Sequence, residues 1–263
     1  MIFARLINLI IFKLPYISLY EVTRVSRGNQ REVWNKLPFR NLRVPTILPD
    51  GNVLICSWED KSYEWDIYHD SSYDRFFKPE REDTVVDAGA HVGFYSLKAA
   101  KEVGNKGRIV AIEPEDKNYE LLSQNIRINR YKNIIAIKRA LSDFEGKAQL
   151  FLKARSFSHS LVKKVWVTPI VGTAEVAVTT LDDLLERLDI KKVDLLKINA
   201  EGAELNVLKG SRRVMAMGGI SKIVLTTHPP HKEEASKIAR YLMLFGYRTK
   251  VVDDAKILYA FLN

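Results

Sequence analysis

The sequence predicts an α/β domain built on a mainly parallel sheet and preceded by an N-terminal extension. From Thr84 onward, short β-branched runs alternate with helical stretches, and this alternation is typical of a parallel sheet with helices on both faces. The last two apolar runs are joined by a turn too short for a crossover helix, so they must pair antiparallel. A length of 263 residues suits one such domain with an extension.

The extension covers residues 1–82 and contains three predicted elements. Met1–Leu14 is mostly apolar and predicts a helix, which Pro15 ends. This helix either packs on the domain or lies at a membrane interface. Its apolar run is too short to span a bilayer. Two apolar segments within Leu42–Trp58 flank a Pro-Asp-Gly turn and predict a β-hairpin. The aromatic-rich stretch Tyr63–Phe77 predicts a helix leading into the domain.

The domain, residues 83–263, contains seven predicted strands and five predicted helices. The strands are Thr84–Asp87, Ile109–Ile112, Ile134–Lys138, Val193–Ile198, Ile220–Thr226, Tyr247–Val252 and Ile257–Phe261. The helices are Phe94–Val103, Lys117–Asn129, Leu181–Leu188, Ala203–Ala216 and Lys232–Phe245. A mainly parallel seven-stranded sheet with an antiparallel C-terminal strand is the outline of the class I methyltransferase Rossmann-like fold.

Composition limits the setting and the partners of the chain. The formal net charge of +9 favours anionic partners such as RNA, acidic lipid or an acidic glycan, although dispersed lysines and arginines also simply solvate a surface. Cys56 is the only cysteine, which excludes an intramolecular disulfide and disfavours a cysteine-based metal site. We therefore expect no metal and a cytoplasmic location, with peripheral membrane contact through the N-terminal helix as an open alternative.

The strongest local motif follows the first strand of the domain. Asp87 ends the strand, and Gly89, Ala90 and His91 form a tight loop before Gly93 and the next helix. The first glycine lets the backbone approach a ligand, the second lets the helix pack closely, and the helix N-terminus favours an anionic group such as a cofactor carboxylate. The alternative is a glycine-containing turn that binds no ligand.

Two further loops extend this predicted cofactor site. Glu113 ends the next strand, where a carboxylate can accept hydrogen bonds from both ribose hydroxyls, and Pro114 stops the strand. After the third strand, Ala140 and Leu141 can cover the face of an adenine ring, and Ser142 or Asp143 can hydrogen-bond its edge. Glu113 could instead complement a helix dipole, and the later segment could be a plain polar turn.

Polar residues at the ends of the fourth and fifth strands predict the catalytic side of the site. Asn199, Glu201 and Glu204 follow one strand and His228 follows the other. We expect Asn199 to orient the acceptor and favour His228 as general base over the two glutamates, because a neutral imidazole is available near neutral pH. Glu204 could instead cap a helix, and His228 could be satisfied by backbone. The polar segment Ser156–Ser160 could line the acceptor pocket.

The run from Val85 to Gly210 resembles the FkbM family of methyltransferases. The matching segments are VVDAGAHVGFYS (85–96), ALSD (140–143), TLDDL (180–184), LKINAEGAE (196–204) and VLKG (207–210), in the family's order. The resemblance implies a class I fold, S-adenosylmethionine as methyl donor, and usually O-methylation of sugars, glycolipids or secondary metabolites. Asn199 stands where the family typically has Asp, and the fifth strand ends in Thr-His rather than in an acidic residue.

Three functions from different classes follow from these motifs. The favoured one is O-methylation of a small molecule or glycan with S-adenosylmethionine as cofactor. The alternative is a tRNA or rRNA methyltransferase, which the charge permits but which usually carries an Asn/Asp-Pro-Pro-aromatic motif where this chain has Asn199-Ala200-Glu201-Gly202. A non-catalytic binding module is opposed by the intact set of Asp, Gly and Glu residues in the two cofactor motifs. The sequence leaves the oligomeric state open.

Overall fold

The computed structural model of the protein describes residues 43–57, 59–69, 73–163 and 168–262. The predicted apolar helix at the N-terminus lies outside the described residues. In chain order the strands are β1 Arg43–Ile47, β2 Val53–Ser57, β3 Thr84–Ala88, β4 Arg108–Ile112, β5 Ile134–Ile137, β6 Ala140–Leu141, β7 Gly146–Lys153, β8 Ile170–Thr179, β9 Val193–Ile198, β10 Ile220–Thr226, β11 Arg248–Val252 and β12 Ile257–Phe261. The helices are α1 Ser62–Tyr68, α2 Phe94–Val103, α3 Asp116–Ile128, α4 Leu181–Arg187, α5 Glu204–Lys209, α6 Arg212–Ala216 and α7 His231–Met243.

Seven of these strands form the central sheet, in the order β11-β12-β10-β9-β3-β4-β5. The strands β10, β9, β3, β4 and β5 pair parallel with their neighbours, whereas β12 pairs antiparallel with both β10 and β11. The predicted class I arrangement, with its antiparallel C-terminal strand, is confirmed. The predicted strand boundaries agree with the structure to within one residue.

Each face of the central sheet carries its own apolar core, because successive strand residues point to opposite faces. On one face, Val86 and Leu196 pack with residues of α4, α5, α6 and α7. On the other face, Val85 and Leu195 pack with residues of α2, α3 and the N-terminal hairpin. Strands buried on both sides read as continuous apolar runs, which is why the sequence pattern predicted them well.

A second, three-stranded sheet has the order β6-β8-β7, with β7 and β8 antiparallel. Its β7–β8 connection includes a short 3-10 turn at Ser156–Ser158 that reaches over the carboxyl end of the central sheet. The predicted N-terminal hairpin is present as β1 and β2. The side chains of Asn125 on α3 and of Asn129, the residue that follows α3, accept hydrogen bonds from the backbone of Ile55 and Val53, at 2.7 and 2.8 Å, and so hold the hairpin on the domain.

Two helix predictions were wrong. The single helix expected over Ala203–Ala216 is two short helices, α5 and α6, separated by Gly210 and Ser211. At Gly210 the chain packs closely against the loop after β6, since a Cβ there would stand 2.0 Å from the carbonyl oxygen of Ser142. The carboxylate of Asp182 accepts from the first amides of the second helix.

The helix expected over Tyr63–Phe77 ends at Tyr68. There Lys98 on α2 donates to the carbonyl of Ile67, at 2.7 Å, and pairs with Asp74, which turns the chain back onto α2. No helix in the part of the chain that the structure describes combines the length and apolar character needed to cross a membrane.

Candidate active site

A cavity opens at the carboxyl ends of β3, β4 and β9, where parallel α/β sheets bind ligands. It encloses about 690 Å³ of empty space, counting the part that is open to solvent. The predicted site residues that line it are Gly89, His91, Glu113, Pro114, Leu141, Asn199 and Glu201. Tyr63 from α1, Asn118 from α3, and Phe157 and His159 from the β7–β8 connection also line it.

A buried ion pair holds the two central strand ends together beside this cavity. Asp87 and Lys197 are neighbours in the β3–β9 register, and Lys197 Nζ lies 2.8 Å from Asp87 Oδ1. Lys197 also donates to the carbonyl of Gly89 at 2.9 Å, and Ser96 Oγ donates to Asp87 Oδ2 at 2.6 Å. Both oxygens of Asp87 are therefore occupied by protein groups, and this carboxylate shapes the cofactor loop from behind.

The two glycines of the first motif permit two close approaches. Gly89 has φ +80°, and a Cβ there would stand 2.0 Å from the carbonyl oxygen of Asn199. A Cβ on Gly93, at φ +104°, would stand 2.9 Å from Leu122 on α3. Gly93 thus serves helix packing, while Gly89 brings the loop after β3 against the loop after β9. These contacts join the predicted cofactor side to the predicted catalytic side.

Glu113 is a buried carboxylate at the end of β4. Its Oε2 accepts the amide of His91 at 2.9 Å, and its Oε1 accepts the amide of Glu115 at 3.1 Å. Burial raises the pKa of Glu113 to about 7, although these N–H donors oppose the rise. A buried carboxylate at this position is suited to accept hydrogen bonds from a ribose.

His91 connects the cofactor loop to two other parts of the chain. Its backbone has φ +52°, and its ring Nε2 lies 3.0 Å from Ser156 Oγ. Ser156 Oγ donates to Asp60 Oδ1 at 2.5 Å, and Asp60 belongs to the extension. The His91 ring also neighbours the rings of Tyr63 and Phe157, with centroids 5.9 and 6.4 Å away.

Glu201, Glu204 and His228 form a buried charged cluster under the β9 loop. His228 Nε2 lies 3.4 Å from Glu201 Oε1, and His228 Nδ1 lies 3.1 Å from Glu204 Oε1. Glu204 also accepts the amides of Ala200 and Gly202, at 2.9 and 3.0 Å, and so fixes the loop. Glu201 itself has φ +50°, a conformation uncommon for a residue with a side chain.

The charge of this cluster overturns the expectation that His228 is a neutral base. Burial disfavours the charged ring, but the attraction of Glu204 and Glu201 outweighs burial and raises the pKa of His228 to about 10. The imidazole is therefore protonated at neutral pH and has no lone pair to accept a proton. His228 instead holds the two carboxylates in place as a cation.

Half of the predicted site residues do not line the cavity. Asp87, Ala90 and Gly93 belong to the cofactor motif but do not reach the cavity, and Glu204 and His228 are buried next to Glu201. Ser142 is buried with its hydroxyl 3.2 Å from Asp143, whose side chain is exposed. In this segment Arg139, Ala140 and Leu141 line the cavity instead.

Several residues that shape the site were absent from the predicted set. Lys197 had a usable signal, because a lysine within an apolar strand is rarely buried without a partner. Asp60, Tyr63 and Asn118 had no such signal, since each reaches the site only through tertiary packing.

Comparison with known proteins agrees with this architecture. The family model described as the methyltransferase FkbM domain matches residues 87–249, more than half of the chain. Methyltransferase sdnD of Sordaria araneosa is 28% identical over 173 residues, which covers 55% of this chain and 66% of that protein. The hexuronic acid methyltransferase AglP of Haloferax volcanii is 22% identical over 151 residues, which covers 57% of each chain.

Solved structures give the same fold. A crystal structure of methyltransferase FkbM from Methylobacillus flagellatus KT superposes with a TM-score of 0.52 at 18% identity, covering 76% of this chain and 51% of that one. The chain therefore spans between about half and two thirds of the length of these relatives. Its fold agrees with that of the solved FkbM structure, and the family match covers more than half of the sequence: the chain belongs to the FkbM family of methyltransferases.

Proposed function

We propose that this protein transfers a methyl group from S-adenosylmethionine to a hydroxyl group of a sugar, glycolipid or small metabolite. The observation that carries the proposal is the pairing of two walls in one cavity. A buried carboxylate, Glu113, forms one wall, and the polar loop with Asn199 and Glu201 forms another. The first wall suits a nucleoside, and the second suits an acceptor that makes hydrogen bonds.

The residues of the first wall fit the cofactor. Glu113 would accept the ribose hydroxyls, Pro114 and Leu141 would flank the adenine, and the loop from Gly89 to His91 would carry the methionine part. When bound, S-adenosylmethionine supplies an electrophilic methyl group. Because this donor is already activated, the protein's main contribution is to position the acceptor and to remove its proton.

The residues of the second wall fit a hydroxyl acceptor. Asn199 Nδ2 lies 3.2 Å from the hydroxyl of Tyr63, whereas Asn199 Oδ1 is buried with no hydrogen-bond partner among the described residues. A buried amide oxygen without a partner is costly unless a ligand donates to it. We assign it to a hydroxyl of the acceptor that neighbours the methylated one, with Glu201, held in place by His228 and Glu204, as a second hydrogen-bond acceptor for such neighbouring hydroxyls.

The relatives support a sugar more than a nucleic acid. One curated relative is named as a hexuronic acid methyltransferase, and such an acceptor offers several hydroxyl groups. The cavity is enclosed on several sides, by α1, the β7–β8 connection and the β9 loop, which suits a small molecule or the end of a glycan. The net charge of +9 also suits an acidic acceptor.

A transfer assay with labelled cofactor tests the proposal. Purified protein would be incubated with methyl-labelled S-adenosylmethionine and, in parallel, with uronic acids, neutral sugars, extracted glycolipids and bulk tRNA and rRNA. We expect label in a sugar or glycolipid fraction, on oxygen, and little in RNA. Glu113→Gln should abolish most labelling because cofactor binding weakens. Label found only in RNA would support the RNA methyltransferase alternative and overturn the proposal.

A further inference from the structure

The ring of His91 presents a buried nitrogen that the protein does not use. Nδ1 is fully buried and has no hydrogen-bond partner among the described residues, and His91 lines the cavity. Its other ring nitrogen, Nε2, is engaged by Ser156 at 3.0 Å. A half-satisfied buried imidazole is costly, so its orientation calls for a functional explanation.

The hydrogen bonds around Ser156 fix the tautomer of this ring. A serine hydroxyl has one proton, and Ser156 gives it to Asp60 Oδ1 at 2.5 Å. Asp60 Oδ2 meanwhile accepts from the amide and hydroxyl of Ser57, at 3.1 and 2.6 Å. Ser156 must therefore accept from His91, which places the ring proton on Nε2 and leaves the Nδ1 lone pair free.

We propose that His91 Nδ1 is the general base that takes the proton of the acceptor hydroxyl, with Asp60 and Ser156 as positioning residues that fix its tautomer. This inference rests on the proposed function, because it requires a hydroxyl acceptor. The acceptor oxygen forms a bond to the methyl carbon as the methyl–sulfur bond breaks and its electron pair stays on sulfur. The hydroxyl proton goes to Nδ1, and the imidazolium then faces the carboxylate of Asp60 through Ser156.

The electrostatic surroundings favour a neutral ring before the reaction. Burial lowers the pKa of His91 below its usual 6.5, and the positive charge of Lys197 acts in the same direction. The negative charges of Asp60 and Glu201 oppose this lowering and would stabilise the imidazolium once it forms. The charged and titratable groups that act on the ring are Asp60 before α1, Asp87 on β3, His159 in the β7–β8 connection, Lys197 on β9 and Glu201 after β9. At neutral pH the ring of His91 is thus neutral, whereas that of His228 carries a positive charge.

The backbone of His91 offers a selective variant. At φ +52° asparagine is tolerated far better than most residues, so His91→Asn should fold. Its amide oxygen can stand near the position of Nδ1 and accept a hydrogen bond, but it is not basic. The variant therefore separates a hydrogen-bonding role of Nδ1, which it can rescue, from a proton-accepting role, which it cannot.

Nitrogen NMR of the histidine rings tests the tautomer without any acceptor. We expect the ring proton of His91 on Nε2 and a titration of the ring below pH 6.5. We also expect that Nδ1 carries no proton and makes no hydrogen bond when S-adenosylhomocysteine is bound. Ser156→Ala should mix the tautomers. A proton on Nδ1, or an Nδ1 that becomes hydrogen-bonded to the bound cofactor product, would overturn the inference.

Kinetics on the identified acceptor completes the test. His91→Asn should still bind S-adenosylhomocysteine, because the substitution leaves the backbone of the cofactor loop in place, but it should lower kcat at saturating cofactor by about 10²–10⁴-fold. With S-adenosylmethionine saturating at every pH, so that the titration of Glu113 does not enter, His91→Asn should also lose the fall in kcat/KM for the acceptor at acidic pH. The control His159→Asn should keep that fall, since His159 Nδ1 already accepts the amide of Lys153 at 3.0 Å.

The kinetic outcomes separate failure of this inference from failure of the proposed function. A wild-type kcat in His91→Asn with a hydroxyl acceptor overturns the inference alone. A wild-type enzyme that methylates no hydroxyl overturns the proposed function, and this role of His91 with it.

Discussion

The protonation of His228 makes the stability of the protein depend on pH in a defined direction. The pKa of His228 is about 10 in the folded protein, against a usual value of 6.5. The folded state therefore binds one more proton than the unfolded state between these two values. The stabilisation is complete below pH 6.5 and is lost as pH rises toward about 10.

The magnitude follows from two separate estimates. Each unit by which the folded pKa exceeds the unfolded pKa corresponds to about 1.4 kcal/mol, so the difference between the two pKa values of His228 amounts to roughly 5 kcal/mol of stability. Removing one partner of a buried charge pair typically costs about 3–5 kcal/mol, which agrees. His228→Gln should thus destabilise the protein by about 3–5 kcal/mol below pH 6.5, and by much less near pH 10.

Urea unfolding followed by circular dichroism measures the loss of stability in His228→Gln and its dependence on pH. The free energy of unfolding of the wild type and of His228→Gln would be compared at several pH values from 6.5 to about 10. The difference between the two proteins should shrink steadily as pH rises, since other titrating groups cancel in the comparison. A difference that is constant across this window would refute the assignment of His228 as a buried cation.

Three further predictions address the cofactor site and the extension. Gly89→Ala should destabilise the protein and impair cofactor binding, because its Cβ would stand 2.0 Å from the carbonyl oxygen of Asn199. In the control Gly146→Ala, at φ +142°, the Cβ meets open space, so this variant should cost only backbone strain. Urea unfolding would compare the stability of the two variants, and calorimetry their cofactor binding. In the wild type, calorimetry should show that the affinity for S-adenosylhomocysteine rises as the Glu113 carboxylate, with its pKa of about 7, loses its proton. Glu113→Gln should weaken this binding by about 1–3 kcal/mol and make it independent of that titration. Deleting residues 1–15 should leave cofactor binding intact and reduce sedimentation with anionic vesicles. Full-length protein that does not sediment with such vesicles at low salt would contradict the expected membrane contact.

The fold was predictable because its signals are local. Strands such as β3 and β9 are buried on both faces and appear as short apolar runs, and the glycine loop after β3 marks the turn into α2. The break between α5 and α6 was not predictable. Gly210 lies in the break and packs against the carbonyl of Ser142, a contact between residues distant in sequence that no local pattern states.

The cofactor side of the site was predicted better than the catalytic side for a similar reason. Glu113 can be assigned from its place after a strand and its spacing from the glycines. The charge of His228 depends on how Glu201 and Glu204 are arranged around it, and no sequence pattern states that arrangement. Likewise, the contact between Asp60 and Ser156, which links the extension to the ring of His91, exists only once the extension folds onto the domain.

A crystal structure with S-adenosylhomocysteine would test the central claim most directly. We expect the ribose hydroxyls to lie within hydrogen-bond distance of Glu113, the adenine beside Leu141, and the sulfur atom facing the space between Asn199 and Glu201. The open remainder of the cavity on that side would then be the acceptor pocket. A ligand bound outside this cavity, or one whose sulfur faces away from Asn199 and Glu201, would contradict the account.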